Sequence, residues 1–544
     1  MLLNVFLHKD LYMFYRRDSM PNTNARKSRD WFLICSWAFF ILAFVGLIVY
    51  MSVHVEDLLD SEMSSELILA RQLKESGGIF SGNWYYSTEI RVLNTQLVYS
   101  LFFHAFEDWQ TVRILGNITL YLLLIGSYYF LCKRLGITRY YPLTAGILLL
   151  PLSGWYFSFF LYGTYYMPRV SMMFFILGIL MQPPAESRSK TGVILYTLVA
   201  CLLSLALGME GARMMLVLFV PVTIVAGTEF FRRVFSQNRE NSTKRIALLR
   251  QDGFPRYLAQ AFFACVFALA GFLINKLILS HAYSFEQFDI SIPKITFGSI
   301  IKVLTNQIAL IGYGTLTHMI SVVAWAAAGG LIAWFLLRKA KKPTSALRFL
   351  WMCVASWACY TAFCSMFDIG QAAYHMIPVT VLFIPAVAVF IQRAEIKPEL
   401  RRAICAGLSL CLLLIGLQGY FTFATWSYRT GEEANESFAQ IAAVLEEKGY
   451  QNGYATHWNA NVLTELSDGA IDVWCVEQFD DQTTEQPELD KWLQVKSHDT
   501  ARPTGKVFLV WTTKQYETYD QEKFDYLGEI LYQDDAFVVY NVIQ

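Results

Sequence analysis

Apolar residues fall in eleven long runs over the first 426 residues, separated by polar segments. About 20 apolar residues in a helix cross the roughly 30 Å hydrocarbon core of a membrane. The pattern therefore predicts eleven spanning helices, of which the fourth is interrupted by Pro168 and Arg169. The predicted spans are 31–51, 111–132, 141–157, 161–182, 192–209, 214–231, 257–279, 316–337, 349–367, 376–391 and 403–426.

The last part of the chain, residues 427–544, has a different pattern. It alternates segments of helical period with short strand-like runs, which predicts a small α/β domain. The predicted helices are 436–447 and 459–466, and the predicted strands are 470–476, 506–511, 526–532 and 536–542. The fold class expected is a polytopic α-helical membrane protein with a small C-terminal extracytoplasmic α/β domain. The expected domains are an N-terminal segment 1–30, a membrane domain 31–426 with a first outer loop 52–110, and the C-terminal domain 427–544.

Composition agrees with a membrane protein. Hydrophobic residues make up 55% of the 544-residue chain and charged residues 16%, against about 25% charged residues in soluble domains. A conventional soluble enzyme and a disordered chain are therefore excluded, and the net charge of zero excludes a uniformly basic nucleic-acid-binding surface. The C-terminal domain holds 8 basic and 22 acidic residues, a formal charge of −14, so the first 426 residues carry +14.

The distribution of Lys and Arg predicts the topology. With the short apolar segment 94–106 treated as an interfacial or re-entrant helix, 27 of the 36 basic residues before the C-terminal domain fall on the side of the N-terminus. Cytoplasmic loops are enriched in Lys and Arg. The N-terminus is therefore expected in the cytoplasm and the C-terminal domain outside. The C-terminal domain contains Cys475 as its single cysteine and can form no internal disulfide, which fits a bacterial plasma membrane.

The first outer loop concentrates carboxylates close to the membrane, at Asp57, Asp60, Glu62 and Glu66. In a helix Glu62 and Glu66 lie on one face at i, i+4, where like charges are destabilising. The cluster is therefore a candidate for binding a cation or an arginine, or for taking part in a reaction. The alternative is a solvated acidic helix start, where carboxylates suit the helix dipole.

Other polar residues lie where the predicted spans reach the outer face. Arg91 and Asn94 lead into the short helix, and Arg91 is expected to bind a phosphate or one of the carboxylates, or to reach lipid headgroups. Ionisable groups at membrane depth usually face a bundle interior or a water-filled cavity. A shared cavity is one hypothesis for these residues, and separate anchors or ion pairs are the other. The candidates are Arg169, Glu210, Arg213 and His375.

Taken together, the acidic first loop, the interfacial helix and the closing α/β domain resemble the GT-C superfamily of integral-membrane glycosyltransferases. The branch is similar to the bacterial protein-mannosyltransferase and aminoarabinose-transferase type. The most specific element is Asp60-Ser61-Glu62, which matches the Asp/Glu motif of that family's first loop. The likeness covers nearly the whole chain, although adjacent acidic residues are common in the protein-mannosyltransferase branch and Ser61 intervenes here.

This resemblance implies a sugar donor linked to polyprenyl phosphate and a glycan, lipid or protein acceptor that enters from the outer face, usually with inversion. It implies that Asp60 deprotonates the acceptor hydroxyl and that Glu62 positions the acceptor or a metal. Because Ser61 intervenes, these two roles are open to exchange, with Glu66 as a third candidate. Arg91, Arg169 or Arg213 would stabilise the departing phosphate.

Metal dependence and non-transferase functions are left open by the sequence. Asp60, Glu62 and Glu66 carry oxygen ligands that would suit Mg²⁺ or Mn²⁺, although a metal-free mechanism is favoured. One alternative function is a transporter or flippase of a lipid-linked glycan that uses Glu210, Arg213 and His375. The other is a non-enzymatic envelope scaffold in which the C-terminal domain binds envelope components.

Overall fold

A computed structural model describes residues 30–87, 90–181, 190–235, 254–285, 296–339, 344–367, 372–393, 397–423, 434–479, 488–524 and 526–543. The described part of the chain is mainly helical. The principal helices are α1 Trp31–Val53, α2 Ser61–Ser76, α3 Thr95–Phe103, α4 Trp109–Leu135, α5 Tyr141–Leu148, α6 Met167–Leu180, α7 Lys190–Met209, α8 Ala212–Phe235, α9 Phe254–Ala282, α10 Phe297–Ala309, α11 Thr315–Lys339, α12 Ser345–Phe367, α13 Ala373–Arg393, α14 Pro398–Phe423, α15 Ala434–Lys448, α16 His457–Leu466 and α17 Thr513–Thr518.

Among the described residues, eight helices are long and apolar enough to cross a membrane, against the eleven spans expected. They are α1, α4, α7, α8, α9, α12, α13 and α14. The expected span 316–337 is present as α11, a helix of 25 residues that is not one of these eight. The polytopic membrane architecture is thus confirmed. The expected N-terminal segment 1–30 lies outside the described residues except for Asp30, which caps the start of α1.

Two of the predicted spans are wrong as single crossing helices. Span 141–157 contains α5, which has eight residues, and the chain then breaks before it resumes a helix at Gly154. Span 161–182 contains α6, which has 14 residues, or about 21 Å at 1.5 Å per residue. Pro168 is the second residue of this helix, in its first turn, and does not interrupt it. Nearly all residues of both helices are buried by other parts of the protein, so an uninterrupted apolar helix is not required there.

The C-terminal domain is a five-stranded mixed sheet with helices packed on it. The strand order is β4-β3-β6-β8-β7, in which β3 is parallel to both of its neighbours and β8 is antiparallel to both of its own. The two predicted helices and four predicted strands are present, and β3 is an additional strand. The strands are β3 Asn452–Thr456, β4 Asp472–Val476, β6 Val507–Thr512, β7 Leu527–Gln533 and β8 Phe537–Val542.

A second, three-stranded sheet joins three distant parts of the chain. Strand β1 (Trp84–Tyr86) of the first loop pairs in parallel with β2 (Ser284–Phe285), which follows α9. On its other edge β1 pairs antiparallel with β5 (Gln494–Val495) of the C-terminal domain. These strands have two or three residues each, so the sheet fixes the first loop against the C-terminal domain through main-chain bonds.

A buried ion pair makes the same connection more deeply. Arg113 of α4 donates two hydrogen bonds of 2.6 Å to the carboxylate of Glu465 in α16, and both side chains are almost completely buried. The same guanidinium donates to the Met63 carbonyl of α2 at 3.1 Å. One arginine therefore joins the membrane helix α4, the C-terminal domain and the first turn of α2.

Removing one partner of a buried pair leaves an uncompensated charge, which costs about 3–5 kcal/mol. We therefore expect Arg113→Met to lower the unfolding temperature of the purified protein and to expose the C-terminal domain to protease. The control is Arg71→Met, which removes the exposed pairs of Arg71 with Glu75 and Glu107 and should change little. Equal effects of the two substitutions would contradict the role assigned to Arg113.

Candidate active site

Helix α2 begins at the acidic motif because Asp60 caps it. Asp60 has an extended backbone, with φ −127° and ψ 167°, and its side chain accepts a hydrogen bond of 2.8 Å from the Met63 amide. Aspartate is among the preferred N-cap residues. The cap fixes the Asp60 carboxylate, which is 3% exposed, at the entrance of the first turn.

Glu62 and Glu66 lie one turn apart in α2, as the i, i+4 spacing predicts, but their surroundings differ. Glu66 is buried and accepts hydrogen bonds from Arg91 Nη1 at 3.1 Å and from Thr95 Oγ1 at 2.6 Å. These bonds compensate the Glu66 charge and tie α2 to the start of α3. Glu62 is partly exposed. Of the three expectations for Arg91, the pairing with a carboxylate is the one that the geometry shows.

Burial raises the pKa of Glu62 to about 7, and the charge of Asp60 adds to the effect. Arg91 opposes this shift, while Glu66 contributes to it. A carboxyl group with a pKa near neutrality exchanges protons readily at physiological pH, which suits acid–base chemistry. Perturbed carboxyl groups also occur in structural networks, so this property alone does not define a catalytic residue.

Tyr165 lies near the carboxylates and Arg91. Its phenol interacts electrostatically with Asp60, Glu62 and Glu66, and the Arg91 guanidinium is 5.7 Å from the centre of its ring. Its side chain is buried, and its hydroxyl has no hydrogen-bond partner among the described residues.

A second group of ionisable side chains surrounds Tyr166. Arg213 is partly exposed, donates to the Tyr166 hydroxyl and lies 5.3 Å from the centre of that ring. His375 Nδ1 is 3.5 Å from the same hydroxyl. Arg169 and Glu210 form an ion pair of 2.6 Å, with side chains 2% and 0% exposed. Gly211 and Ala212 separate Glu210 from Arg213. Gly211 has a positive φ of 86° and so permits the sharp turn between α7 and α8.

The two groups are neighbours, because Tyr165 and Tyr166 are consecutive residues. Tyr374 is a second connection between them, since its phenol interacts electrostatically with Glu62, Arg91 and Arg213. The Tyr374 ring stacks on Phe159 with 3.9 Å between ring centres. The structure thus connects two groups of sequence-predicted residues through Tyr165, Tyr166 and Tyr374. The first group contains Asp60, Glu62, Glu66 and Arg91, and the second contains Arg169, Glu210, Arg213 and His375.

Asn94, the remaining candidate, is 1% exposed at the start of α3. Neither its amide nitrogen nor its amide oxygen has a hydrogen-bond partner in the described part of the chain. Buried polar groups are normally paired with protein or ordered water. A nearby cleft is lined by Glu66, Arg91, Trp84 and Gln96, together with Leu493 of the C-terminal domain.

Several residues that shape the site were not singled out as candidates from the sequence. Thr95 holds Glu66, and Arg113 reaches the Met63 carbonyl. Asn461 of α16 donates to the Ser61 carbonyl at 3.2 Å. A charged residue at the boundary of a predicted span, such as Arg113, is a weak signal that it has a buried partner. The partners of these residues cannot be identified from spacing, because they are too far away in sequence.

Two of the three carboxylates considered as metal ligands are already bonded within the protein. Asp60 caps α2 and Glu66 is bonded to Arg91 and Thr95. In the described residues no group of three or more His, Cys, Asp or Glu side chains is arranged to hold a metal. Mg²⁺ can be held by one or two carboxylates together with waters and substrate phosphates, so the binding of Mg²⁺ or Mn²⁺ stays a prediction.

A comparison with solved structures identifies the fold. The chain matches ArnT from Cupriavidus metallidurans, crystallised with undecaprenyl phosphate, at a TM-score of 0.54 and 12% identity. The match covers 94% of this chain and 98% of ArnT. The chain has the fold of ArnT. At this identity the likeness establishes the fold and leaves the chemistry to be argued from the site.

The other comparisons add less. The chain also matches the oligosaccharyltransferase of Archaeoglobus fulgidus, solved with Zn and sulfate, at a TM-score of 0.44 and 10% identity. That match covers 81% of this chain and 62% of the archaeal protein. No protein-family model matches the sequence, and no curated protein matches it significantly.

The raised pKa of Glu62 has a consequence for stability. A carboxyl group whose folded pKa lies above its unfolded value lowers the free energy of unfolding as pH rises between the two values. This loss of stability begins near pH 4.5 and is complete above about pH 7. We expect Glu62→Gln to stabilise the protein at pH 8 by on the order of 1–3 kcal/mol and to have little effect near pH 4.5.

Thermal unfolding measured at both pH values tests this expectation. The matched control is Glu66→Gln, which weakens the interactions of a paired carboxylate and should destabilise the protein at pH 8. A stabilisation by Glu62→Gln that is the same at both pH values would contradict the assigned pKa.

Proposed function

We propose that the protein is a membrane glycosyltransferase that transfers a sugar from a polyprenyl-phosphate donor to a hydroxyl of an acceptor on the outer face. One observation supports this proposal most directly. The carboxylates of Asp60 and Glu62 lie near Tyr165, and Arg213 contacts the neighbouring residue Tyr166. A sugar transfer needs a base near the attacking hydroxyl and a cation near the departing phosphate. Both kinds of group are present, and Tyr374 interacts electrostatically with Glu62 and with Arg213.

The lipid part of the donor is supported by two separate arguments. The protein has the fold of ArnT, which was crystallised with undecaprenyl phosphate. Arg213 is partly exposed, whereas Arg169 is buried in its pair with Glu210 and Arg91 is bonded to Glu66. Arginine matches the geometry of phosphate oxygens. We therefore assign the phosphate contact to Arg213, with Tyr166 and His375 beside it.

The proposed reaction is a single displacement. Asp60 accepts the proton of the acceptor hydroxyl, and the hydroxyl oxygen forms a bond to the anomeric carbon of the sugar. The bond from that carbon to the phosphate oxygen breaks, and polyprenyl phosphate leaves with the electron pair, which Arg213 stabilises. Attack from the face opposite the leaving group inverts the anomeric centre, and the proton passes from Asp60 to solvent.

The two acidic residues have different properties that fit different roles. The Met63 amide orients the Asp60 carboxylate, as a positioned base requires. Glu62 is partly exposed with a pKa of about 7, and it would hold the acceptor through a hydrogen bond. Separate substitutions of Asp60 and Glu62 would show whether the roles of base and acceptor-binding residue are exchanged.

Asp60→Asn tests the proposed base with little change in structure, because asparagine is as good an N-cap as aspartate. Loss of a general base lowers the rate by about 10²–10⁴-fold. We expect that loss of kcat with an unchanged unfolding temperature, measured as transfer of labelled sugar from polyprenyl phosphate in proteoliposomes. Glu62→Gln should mainly raise KM for the acceptor.

Full transfer by Asp60→Asn would remove Asp60 from the mechanism, and a larger loss of kcat in Glu62→Gln would exchange the two roles. Movement of a lipid-linked glycan across the bilayer without covalent change would instead favour a flippase.

Arg213→Gln tests the phosphate contact without knowledge of the sugar. Hydrogen bonds to charged groups contribute about 1.5–3 kcal/mol, so we expect undecaprenyl phosphate to bind about 10–100-fold more weakly. Stabilisation by added undecaprenyl phosphate in a thermal unfolding titration measures the change. Arg71→Gln, at a partly exposed arginine that pairs with Glu75 and Glu107, serves as the control. Equal affinity in Arg213→Gln and wild type would contradict this assignment.

A further inference from the structure

One face of α16 contacts the beginning of the acidic helix and of the membrane helix beside it. Asn461, Glu465 and Asp468 follow each other at i, i+4 and i+7, which places them along one side of a helix and its continuation. Asn461 bonds to Ser61 of α2, and Glu465 bonds to Arg113 of α4. Asp468 accepts a hydrogen bond of 2.8 Å from the Trp109 amide at the start of α4.

Asn461 makes the most direct contact with the acidic motif. Its main-chain N–H donates to Ser61 Oγ at 3.1 Å, and its side-chain Nδ2 donates to the Ser61 carbonyl at 3.2 Å. Ser61 is completely buried and lies between the two proposed catalytic carboxylates, Asp60 and Glu62. Both the side chain and the main chain of Ser61 are therefore held by the C-terminal domain.

The Asn461 side chain is itself fixed. It is 3% exposed, and its Nδ2 also donates to the Leu493 carbonyl at 3.1 Å. Its Oδ1 accepts a weak hydrogen bond from the Cys475 thiol, with 3.8 Å between the two atoms. Contacts with β4 and with the segment before β5 thus hold the amide in the orientation that serves Ser61.

We propose that Asn461 is a positioning residue that holds Asp60 and Glu62 in place for the transfer reaction, so that the C-terminal domain forms part of the catalytic apparatus. This inference rests on the proposed function. The carbonyl held by Asn461 belongs to the peptide bond between Ser61 and Glu62, and Ser61 is joined directly to the capping residue Asp60. Displacement of Ser61 therefore displaces both carboxylates.

The proposal predicts a particular kinetic pattern. A misplacement of about 1 Å remote from the reacting atoms lowers the rate by about 10²-fold. Asn461 does not contact the Arg213 group in any described interaction, so donor binding should be retained. We expect Asn461→Ala to lower kcat by about 10–100-fold and to leave KM for the lipid donor within about twofold.

A second measurement does not depend on the reaction. Carbodiimides modify protonated carboxyl groups, so the pH dependence of Glu62 labelling, read by peptide mass spectrometry on the full-length protein, reports the protonation of Glu62. The labelling midpoint of the wild type is expected at about 7. If Asn461→Ala releases the first turn of α2 towards water, the midpoint moves down towards the ordinary value of 4.5, because burial is the main cause of the raised pKa.

Asn459→Ala is the matched control. Asn459 lies in the same helix, is 5% exposed and bonds within the domain to Thr456 Oγ1 at 3.2 Å. This control removes an asparagine side chain from the same helix and should leave the labelling midpoint of Glu62 and kcat unchanged. Asn461→Ser, which keeps a short polar side chain, is expected to restore part of the rate.

The outcomes separate this inference from the proposed function. An unchanged Glu62 midpoint and an unchanged kcat in Asn461→Ala would overturn the positioning role, even with transfer established in the wild type. Equal losses in the Asn461→Ala and Asn459→Ala variants would also overturn it, because a general weakening of the domain would then explain both. If the Glu62 labelling midpoint shifts in Asn461→Ala but the wild type transfers no sugar, the proposed transferase function is refuted. The structural role of Asn461 in holding Ser61 and the adjacent carboxylates is then retained.

Discussion

The buried ion pair of Arg113 and Glu465 is the interaction on which the arrangement of the site depends. Two buried charges are tolerated only when geometry is good and the remaining polar atoms are bonded. Here the guanidinium donates twice to the carboxylate and once to the Met63 carbonyl. The ion pair therefore also sets the position of α2, and with it the position of the acidic motif between α4 and the C-terminal domain.

The same rule organises the other charges of the site. Glu66 is compensated by Arg91 and Thr95, and Arg169 is compensated by Glu210. Beside these pairs lie the buried Asp60 and two partly exposed side chains, Glu62 and Arg213. Arg91 bonds to Glu66, and its lowering effect on the pKa of Glu62 is outweighed by burial and by the charge of Asp60.

Hydropathy predicts the helices that face lipid better than the helices that face protein. The runs corresponding to α1, α4, α7–α9, α12 and α14 are confirmed as continuous helices, and the protein buries at most half of the apolar part of each. A lipid-exposed segment must satisfy its own backbone hydrogen bonds in a continuous helix. Helix α13 is also continuous, although 72% of its apolar part is buried. Residues 141–181 are similarly apolar, but protein surrounds them and permits breaks. In the acidic loop, spacing predicts the shared face of Glu62 and Glu66. It does not predict that Arg113 bonds to a residue 352 positions away.

The break at residues 157–166 lies within the site, and the packing around it indicates that the break is required there. A π-helical turn, Phe157–Tyr162, ends at Gly163, where a Cβ atom would lie 2.6 Å from the Ser158 carbonyl oxygen. Thr164 follows with a positive φ of 56°, a conformation that is costly for a β-branched residue.

Asn117 of α4 and Tyr99 of α3 hold this strained turn. Asn117 Nδ2 donates to the Tyr162 carbonyl at 3.2 Å, and the Tyr99 hydroxyl lies 3.1 Å from Thr164 Oγ1. Asn117 lies one helical turn beyond Arg113. The same face of α4 therefore holds the carboxylates through Arg113 and the turn that presents Tyr165 and Tyr166 through Asn117. A regular helix through residues 161–182 would remove this turn, and the carboxylates would lose their connection to the cations.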